Sequence, residues 1–154
     1  MPVPKKDKIY VLLQFLVFIA WLMEVEKLRF QLSENLHYLG LIVAAIGIIL
    51  ILVALVQIGS KISPFPSPMQ GAKLVTSGTF AFARHPIYAG LLFAAFGLSV
   101  WLGSGYKLLI CLLLYVIFFL KSRSEEERLL EIFPEYEIYK RNTGRFFPKF
   151  KGRI

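Results

Sequence analysis

The sequence predicts an all-α fold: a multi-pass transmembrane helical bundle of about four spans with a helical C-terminal extension on the cytoplasmic side. Three observations predict it. Hydrophobic residues make up 56% of the 154 and charged residues only 18%, against roughly a quarter charged in an ordinary soluble domain. The charges are clustered, leaving residues 9–23, 35–60, 85–106 and 108–120 without Asp, Glu, Lys or Arg. Lys and Arg also concentrate in alternate connecting segments.

A helix rises about 1.5 Å per residue and the hydrocarbon core is about 30 Å thick, so a span needs about 20 apolar residues. The first gap, Ile9 to Met23, falls short of this. Lys8 can snorkel at one end, and continuation through Val25, Leu28 and Phe30 completes a span. Lys5, Lys6 and Lys8 resemble the start of a signal peptide, but Met23-Glu24-Val25-Glu26 has none of the small residues of a cleavage site, so an uncleaved anchor is expected. The second and third gaps are long enough. Pro64, Pro66 and Pro68 break any helix leaving the second span and predict an extended connection along the membrane surface. Gly103-Ser104-Gly105 predicts a tight turn that makes the third and fourth spans an antiparallel hairpin. The fourth gap is the shortest, so its helix must overrun the hydrocarbon edge, with Lys107 and Lys121 expected to reach the headgroups.

Summing Lys and Arg over alternate segments gives fifteen against three. The positive-inside rule then places both termini, and the loop from about Lys61 to Arg84, in the cytoplasm. The chain reads as one membrane-embedded domain over 1–154, with a two-span half (1–60) and a second half (61–154) holding the candidate site. The net charge of +8 does not indicate nucleic acid, because the basic residues flank apolar spans and form no single soluble face. Cys111, the one cysteine, lies mid-span and reads as a packing residue. His37 and His85 fall on opposite membrane faces in this topology and cannot share a metal. No phosphate-binding glycine loop and no G-x-S-x-G serine is present.

Two clusters could carry chemistry. Arg84-His85-Pro86-Ile87-Tyr88-Ala89-Gly90 opens the third span, and its helix N-terminus, with Arg84 and His85 beside it, favours a carboxylate. The bland reading is that Arg84 anchors headgroups and Tyr88 belongs to an interfacial aromatic belt. Glu125-Glu126-Glu127 sits on the continuation of the fourth span, about 7.5 Å beyond Leu120 at the standard rise. The hairpin brings this cluster level with His85, which suits a zwitterionic ligand with a cationic centre. The bland reading here is a solvated helix whose glutamates pair with Lys121, Arg123 and Arg128.

In register with those clusters stand Leu74-Val75-Thr76-Ser77-Gly78, then Phe133, Tyr136, Tyr139 and Pro148. From Ala72 to Gly152 the chain resembles the isoprenylcysteine carboxyl methyltransferase and phospholipid methyltransferase superfamily of integral membrane enzymes. The resemblance implies S-adenosylmethionine as cofactor, open to the cytosol and held by Lys73, Leu74, Val75, Phe80, His85, Pro86, Ile87, Tyr88 and Glu125. Arg84, Glu126, Lys121 and Arg123 are expected beside the reacting groups. A soluble Rossmann methyltransferase is excluded. The implied acceptor is a lipid-like molecule drawn from the bilayer, either a carboxylate of the isoprenylcysteine type or a phosphatidylethanolamine amine. For the amine a proton must leave first, and Glu126 or His85 is then the candidate base. Membrane lipids are the expected partners, with no metal and no nucleic acid.

Three departures from the family pattern bear on these roles. The tail reads F-P-E-Y where many relatives have F-G-E-E-Y, which leaves both Glu125-Glu126 and Glu126-Glu127 open as the family pair. Phe80 keeps a ring and lacks the hydroxyl of the usual tyrosine. Lys121 stands in register with the family's substrate-side arginine, with Arg123 two residues on, and a lysine lacks the bidentate fork. A non-catalytic lipid-binding subunit with the same fold remains the alternative of another class.

Overall fold

Each charge-free stretch forms a helix in the computed structural model, which describes residues 5–59 and 74–149. Lys73 and the connection carrying Pro64, Pro66 and Pro68 lie outside the described residues. Among the described residues the helices are α1 (Lys5–Leu22), α2 (Glu34–Ile58), the single turn α3 (Thr79–Phe82), α4 (Pro86–Trp101), α5 (Gly105–Ile132) and α6 (Tyr136–Asn142). Helices α2 and α5 are each long and apolar enough to cross a membrane. Helix α4 is apolar but has 16 residues, about 24 Å, so it needs local thinning or flanking residues to span. Helix α1 has 18 residues, with Lys5, Lys6, Asp7 and Lys8 in its first turn.

The bundle is built on close approach of backbones. A Cβ on Gly47 would stand 2.5 Å from the Ala94 nitrogen and 2.6 Å from the Gly90 carbonyl oxygen, and one on Gly40 would stand 2.8 Å from the Gly97 oxygen. Gly40 therefore faces Gly97 and Gly47 faces Gly90, which makes α2 and α4 antiparallel. In lipid, helices associate through dispersion and close contact rather than hydrophobic exclusion, and small residues are what permit it. The opposite face of α2 leaves Ile42, Ile46, Ile49, Leu52 and Val56 exposed, as an acyl-chain contact requires. Helix α5 turns back along α4 after Gly103 and packs α1 on its other side. Val17, Leu92, Cys111, Leu114, Ile117 and Phe118 close the space between them.

Two expectations are corrected. Helix α1 stops at Leu22 instead of continuing through Val25, Leu28 and Phe30, and the chain passes into a single 3₁₀ turn at Glu26–Leu28. The reason lies on α5: the Lys107 ammonium donates to the Trp21 and Met23 carbonyls at 2.6 and 2.8 Å, capping the end of α1. The Glu24 carboxylate accepts from the Ser104 hydroxyl at 2.7 Å and lies 3.6 Å from Lys107. That hydroxyl, together with the Lys107 and Arg29 charges, holds the Glu24 carboxyl below its usual value against the opposing effect of burial. Lys107 and Lys121 consequently do not reach headgroups; they are 5% and 2% exposed. Lys121 instead donates to the Gln14 side chain of α1 at 2.8 Å. Both ammonium groups are buried with internal acceptors, the condition under which burial of a charge is tolerated.

Helix α5 runs unbroken through Ile132, 28 residues or about 42 Å. Its last three turns stand beyond the apolar section and carry the glutamates to the start of α4. His37 and His85 sit at opposite ends of α4: the His37 ring nitrogen Nδ1 meets the Trp101 carbonyl at 2.6 Å, while His85 precedes Pro86.

Candidate functional site

The approach to α4 is set by Gly78, whose φ of 62° is costly for any residue with a Cβ. It lets the Gln57 side chain accept from both the amide and the hydroxyl of Thr79, at 3.0 and 2.6 Å, tying the end of α2 to α3. The next residues extend and pair in parallel with the tail. The Arg84 amide donates to the Gly144 carbonyl at 2.8 Å and the His85 amide to that of Arg145 at 3.0 Å. Pro86 then starts α4 at a position where its missing N–H costs nothing.

Glu126 is the hub of this end of the molecule, with a side chain 1% exposed. Its Oε1 accepts from Arg84 Nε and Nη2 at 3.0 and 2.8 Å and from Arg145 Nε at 3.1 Å, and it lies 3.2 Å from His85 Nε2. Its Oε2 accepts from Arg145 Nη2 at 2.9 Å and lies 3.5 Å from the Lys140 ammonium. Arg84 turns its remaining edge to the end of α6, donating through Nη1 to the carbonyls of Lys140 and Thr143. One carboxylate on α5 therefore binds the start of α4 and the tail together. Tyr139 adds a further tie from α6 by donating its hydroxyl to the Phe80 carbonyl at 2.5 Å, and burial pushes that phenol up to about 12. Tyr136, also buried, has a hydroxyl with no hydrogen-bond partner among the described residues.

Glu125, one residue earlier, points into a different environment. Its Oε2 accepts from the Tyr88 hydroxyl at 3.2 Å and lies 3.6 Å from His85 Nδ1. The His85, Tyr88 and Phe118 rings form a stack, with centroids 5.5 and 4.7 Å apart. The Lys121 ammonium lies over the Tyr88 ring at 5.3 Å. This is a carboxylate in an aromatic recess, engaged by one hydroxyl and one imidazole.

On the far side of Glu126 a cleft of about 360 Å³ opens between Arg84, Tyr115, Phe119, Arg145, Phe146 and Phe147. Phe146 meets His85 edge-on at 6.2 Å, so His85 stands between the Glu125 recess and this cleft.

The structure thus brings together Arg84, His85, Pro86, Tyr88, Lys121, Glu125 and Glu126 at one end of the α4–α5 hairpin. Ile87 is half-buried on the first turn of α4, Phe80 is buried at α3, and Leu74 and Val75 are half-buried in the segment leading to it. Lys73 lies outside the described residues. Arg123 is not in the cluster: its side chain is 67% exposed and pairs along the helix with Glu127 at 3.4 Å. Because Glu127 faces outward with it, Glu125 and Glu126 are the inward pair. Sequence reasoning missed Arg145, Lys140 and Thr143, and counted the two cations only as part of a basic tail. The signal was Glu126 itself, since a carboxylate buried at the end of a span requires cations, and the tail holds the nearest unassigned ones.

A family model for phospholipid methyltransferases matches residues 35–136. Protein-S-isoprenylcysteine O-methyltransferase of Rattus norvegicus is 34% identical over 124 residues, 73% of this chain and 41% of that protein. The protein of the same name from Schizosaccharomyces pombe is 32% identical over 99 residues, 62% of this chain and 42% of its own. The cobalt-zinc-cadmium resistance protein CzcN of Cupriavidus metallidurans is 34% identical over 77 residues, covering 49% and 36%. The chain spans about two fifths of the length of these relatives. The solved structure of the eukaryotic intramembrane Ras methyltransferase ICMT aligns with a TM-score of 0.67 and 24% identity over 100% of this chain and 56% of that one, a likeness of fold. By the match over residues 35–136, the protein belongs to the phospholipid methyltransferase family.

Proposed function

We propose that this chain is an integral membrane methyltransferase that uses S-adenosylmethionine to O-methylate the carboxylate of a lipid-like acceptor of the isoprenylcysteine type. The observation that carries this reading is the meeting of His85 and Tyr88 on Glu125 at the head of the hairpin, with the Tyr88 hydroxyl 3.2 Å and His85 Nδ1 3.6 Å from the same carboxylate oxygen. The donor set fits the cofactor. Among the described residues the second oxygen of Glu125 has no hydrogen-bond partner, whereas both oxygens of Glu126 are engaged. A carboxylate with spare capacity among stacked rings suits a cationic ligand. The first intrahelical bond of α4 runs from Ala89 to His85, so among the described residues the amides of Ile87 and Tyr88 have no backbone acceptor and, at a helix N-terminus, suit a carboxylate.

When bound, S-adenosylmethionine supplies a methyl group on a sulfonium sulfur. Glu125 and Tyr88 hold the cationic side of the ligand, and the start of α4 holds the anionic side. Leu74, Val75, Phe80, Pro86 and Ile87, and Lys73 outside the described residues, are the further cofactor contacts that the family resemblance implies. Arg84 and Glu126 fix His85 and the α4 start in place, and the buried rings exclude water. A carboxylate acceptor with an ordinary value near 4 is already ionised at neutral pH, so no general base is required of His85 or Glu126. The excess of Lys and Arg in alternate segments supports a site and termini facing the cytosol.

The test is binding of S-adenosylmethionine to the full chain in detergent, together with labelled-methyl transfer to a prenylcysteine analogue and, separately, to a total lipid extract. Wild-type protein is expected to bind the cofactor and label the prenylcysteine. Glu125→Gln and His85→Ala are expected to weaken binding at least about tenfold, the scale of one lost charge-assisted contact. Absence of binding by the wild type overturns the reading in favour of a non-catalytic subunit. Labelling confined to lipid amines overturns the acceptor class alone.

A further inference from the structure

We infer that Arg145, carried on the tail after α6, is the residue that receives the anionic head of the acceptor, and that the cleft beside it receives the acceptor's apolar chain. This rests on the methyltransferase reading and assigns the acceptor end of the same site. The sequence pattern points to Lys121 or Arg123 for the role, but neither lines the cleft. On α5, at about 100° per residue, Tyr115, Phe119 and Glu126 share one stripe, and Lys121 lies on the opposite side of the helix, bonded to Gln14. Arg123 faces outward with Glu127.

Two cations line the cleft, Arg84 and Arg145. Arg84 is committed through Nε and Nη2 to Glu126 and through Nη1 to two carbonyls. Arg145 uses Nε and Nη2 on Glu126, while its Nη1 is buried with no hydrogen-bond partner among the described residues. Such an unpaired buried donor is costly, and a ligand oxygen is a way to satisfy it. The face of the Arg145 guanidinium lies 4.5 Å from the centre of the Phe119 ring, which fixes its plane.

Charge points the same way. Arg84, Arg145 and Lys140 surround the single carboxylate of Glu126. That leaves the cleft side of the cluster with an excess of positive charge beside Tyr115, Phe119, Phe146 and Phe147. An amphiphile with one carboxylate and an apolar chain complements both features, and a phosphatidylethanolamine ammonium would be repelled. His85, edge-on to Phe146 and 3.6 Å from Glu125, links the acceptor side to the cofactor side.

The experiment uses the full chain in detergent without cofactor and three probes: N-acetyl-S-farnesylcysteine, its carboxamide, and a short-chain phosphatidylethanolamine. Wild type is expected to bind the carboxylate at least about tenfold more tightly than the carboxamide, the worth of one charge-assisted hydrogen bond. In Arg145→Gln that preference is expected to collapse while carboxamide binding holds; Arg145→Lys, which keeps the charge and loses the fork, is expected to fall between. A merely structural role for Arg145 would weaken both probes together. Equal binding of carboxylate and carboxamide by the wild type overturns the inference whether or not the variants fold, as does a preference that survives Arg145→Gln or tighter binding of the phosphatidylethanolamine. Failure of the methyltransferase reading shows itself separately, as wild type that does not bind S-adenosylmethionine.

Discussion

The two ends of the α4–α5 hairpin both bury charge, and they finish the pairing differently. At the turn end, Lys107 is satisfied by two carbonyls and by Glu24, and Glu24 in turn by the Ser104 hydroxyl and by Arg29 at 3.8 Å. Among the described residues no buried side-chain donor or acceptor is left over there, and the arrangement acts as a lock between α1 and α5. At the open end, Glu126 makes a comparable lock, but among the described residues two buried groups near it lack a hydrogen-bond partner, Arg145 Nη1 and the Tyr136 hydroxyl, and a cleft opens beside Arg145. Buried polar groups are nearly always paired, so the end with incomplete pairing is the one prepared for a ligand. The comparison predicts that the turn end can be damaged in stability alone, whereas damage to the open end reaches binding as well.

The largest effect is expected from Glu126→Ala. It leaves two guanidinium groups and the Lys140 ammonium without their common carboxylate and releases the tail from α4. Removing one partner of a buried ion pair costs about 3–5 kcal/mol. The thermal midpoint in detergent should fall sharply and cofactor binding should be lost with it. A variant that melts like wild type would mean that the backbone pairing at Gly144 and Arg145 holds the tail unaided.

How much of this was legible beforehand follows from what kind of information each part needs. The helices are written in local composition, so charge-free stretches and Gly103-Ser104-Gly105 located them. The meeting of His85 with Glu125 follows from hairpin geometry and the length of α5. The end of α1 was not legible, because it is decided by Lys107, 84 residues away from the Met23 carbonyl that it caps. Lys107 and Lys121 looked like headgroup anchors because sequence shows only that a lysine flanks an apolar run, not that Trp21, Met23 or Gln14 offers it an inward acceptor. Arg145 was hidden for the same reason: its value comes from Glu126, and nothing local in Thr143-Gly144-Arg145 marks it.

An intermediate effect is expected at the locked end from Ser104→Ala. The Ser104 hydroxyl donates to Glu24 and also caps α5 by accepting from the Lys107 amide at 3.3 Å. Loss of such a cap costs about 0.5–2 kcal/mol. The folded-state value of Glu24 lies below its ordinary 4.5, with Ser104 the leading cause. A carboxyl lowered in the folded state contributes stability that is present above its unfolded value and fades as pH falls through the folded one. The gap in melting temperature between wild type and Ser104→Ala should therefore be widest at neutral pH and narrow in acid below about 4.5. Cofactor binding by the folded variant should match wild type; a loss there would break the division of labour between the two ends.

The smallest effect is expected from Arg123→Ala, and it sharpens the comparison within the open end. Arg123 stands two residues from Glu125 in sequence but projects to solvent, joined to Glu127 by an exposed pair at 3.4 Å. Such pairs are worth about 0.2–1 kcal/mol, and surface changes of this kind usually stay within about 0.5 kcal/mol. Stability, cofactor affinity and the KM for a carboxylate acceptor should all stay near wild type. A raised acceptor KM in Arg123→Ala with cofactor affinity intact would move the anion-binding role from Arg145, held on the tail against Glu126, to the solvent-facing side of α5 where Arg123 stands.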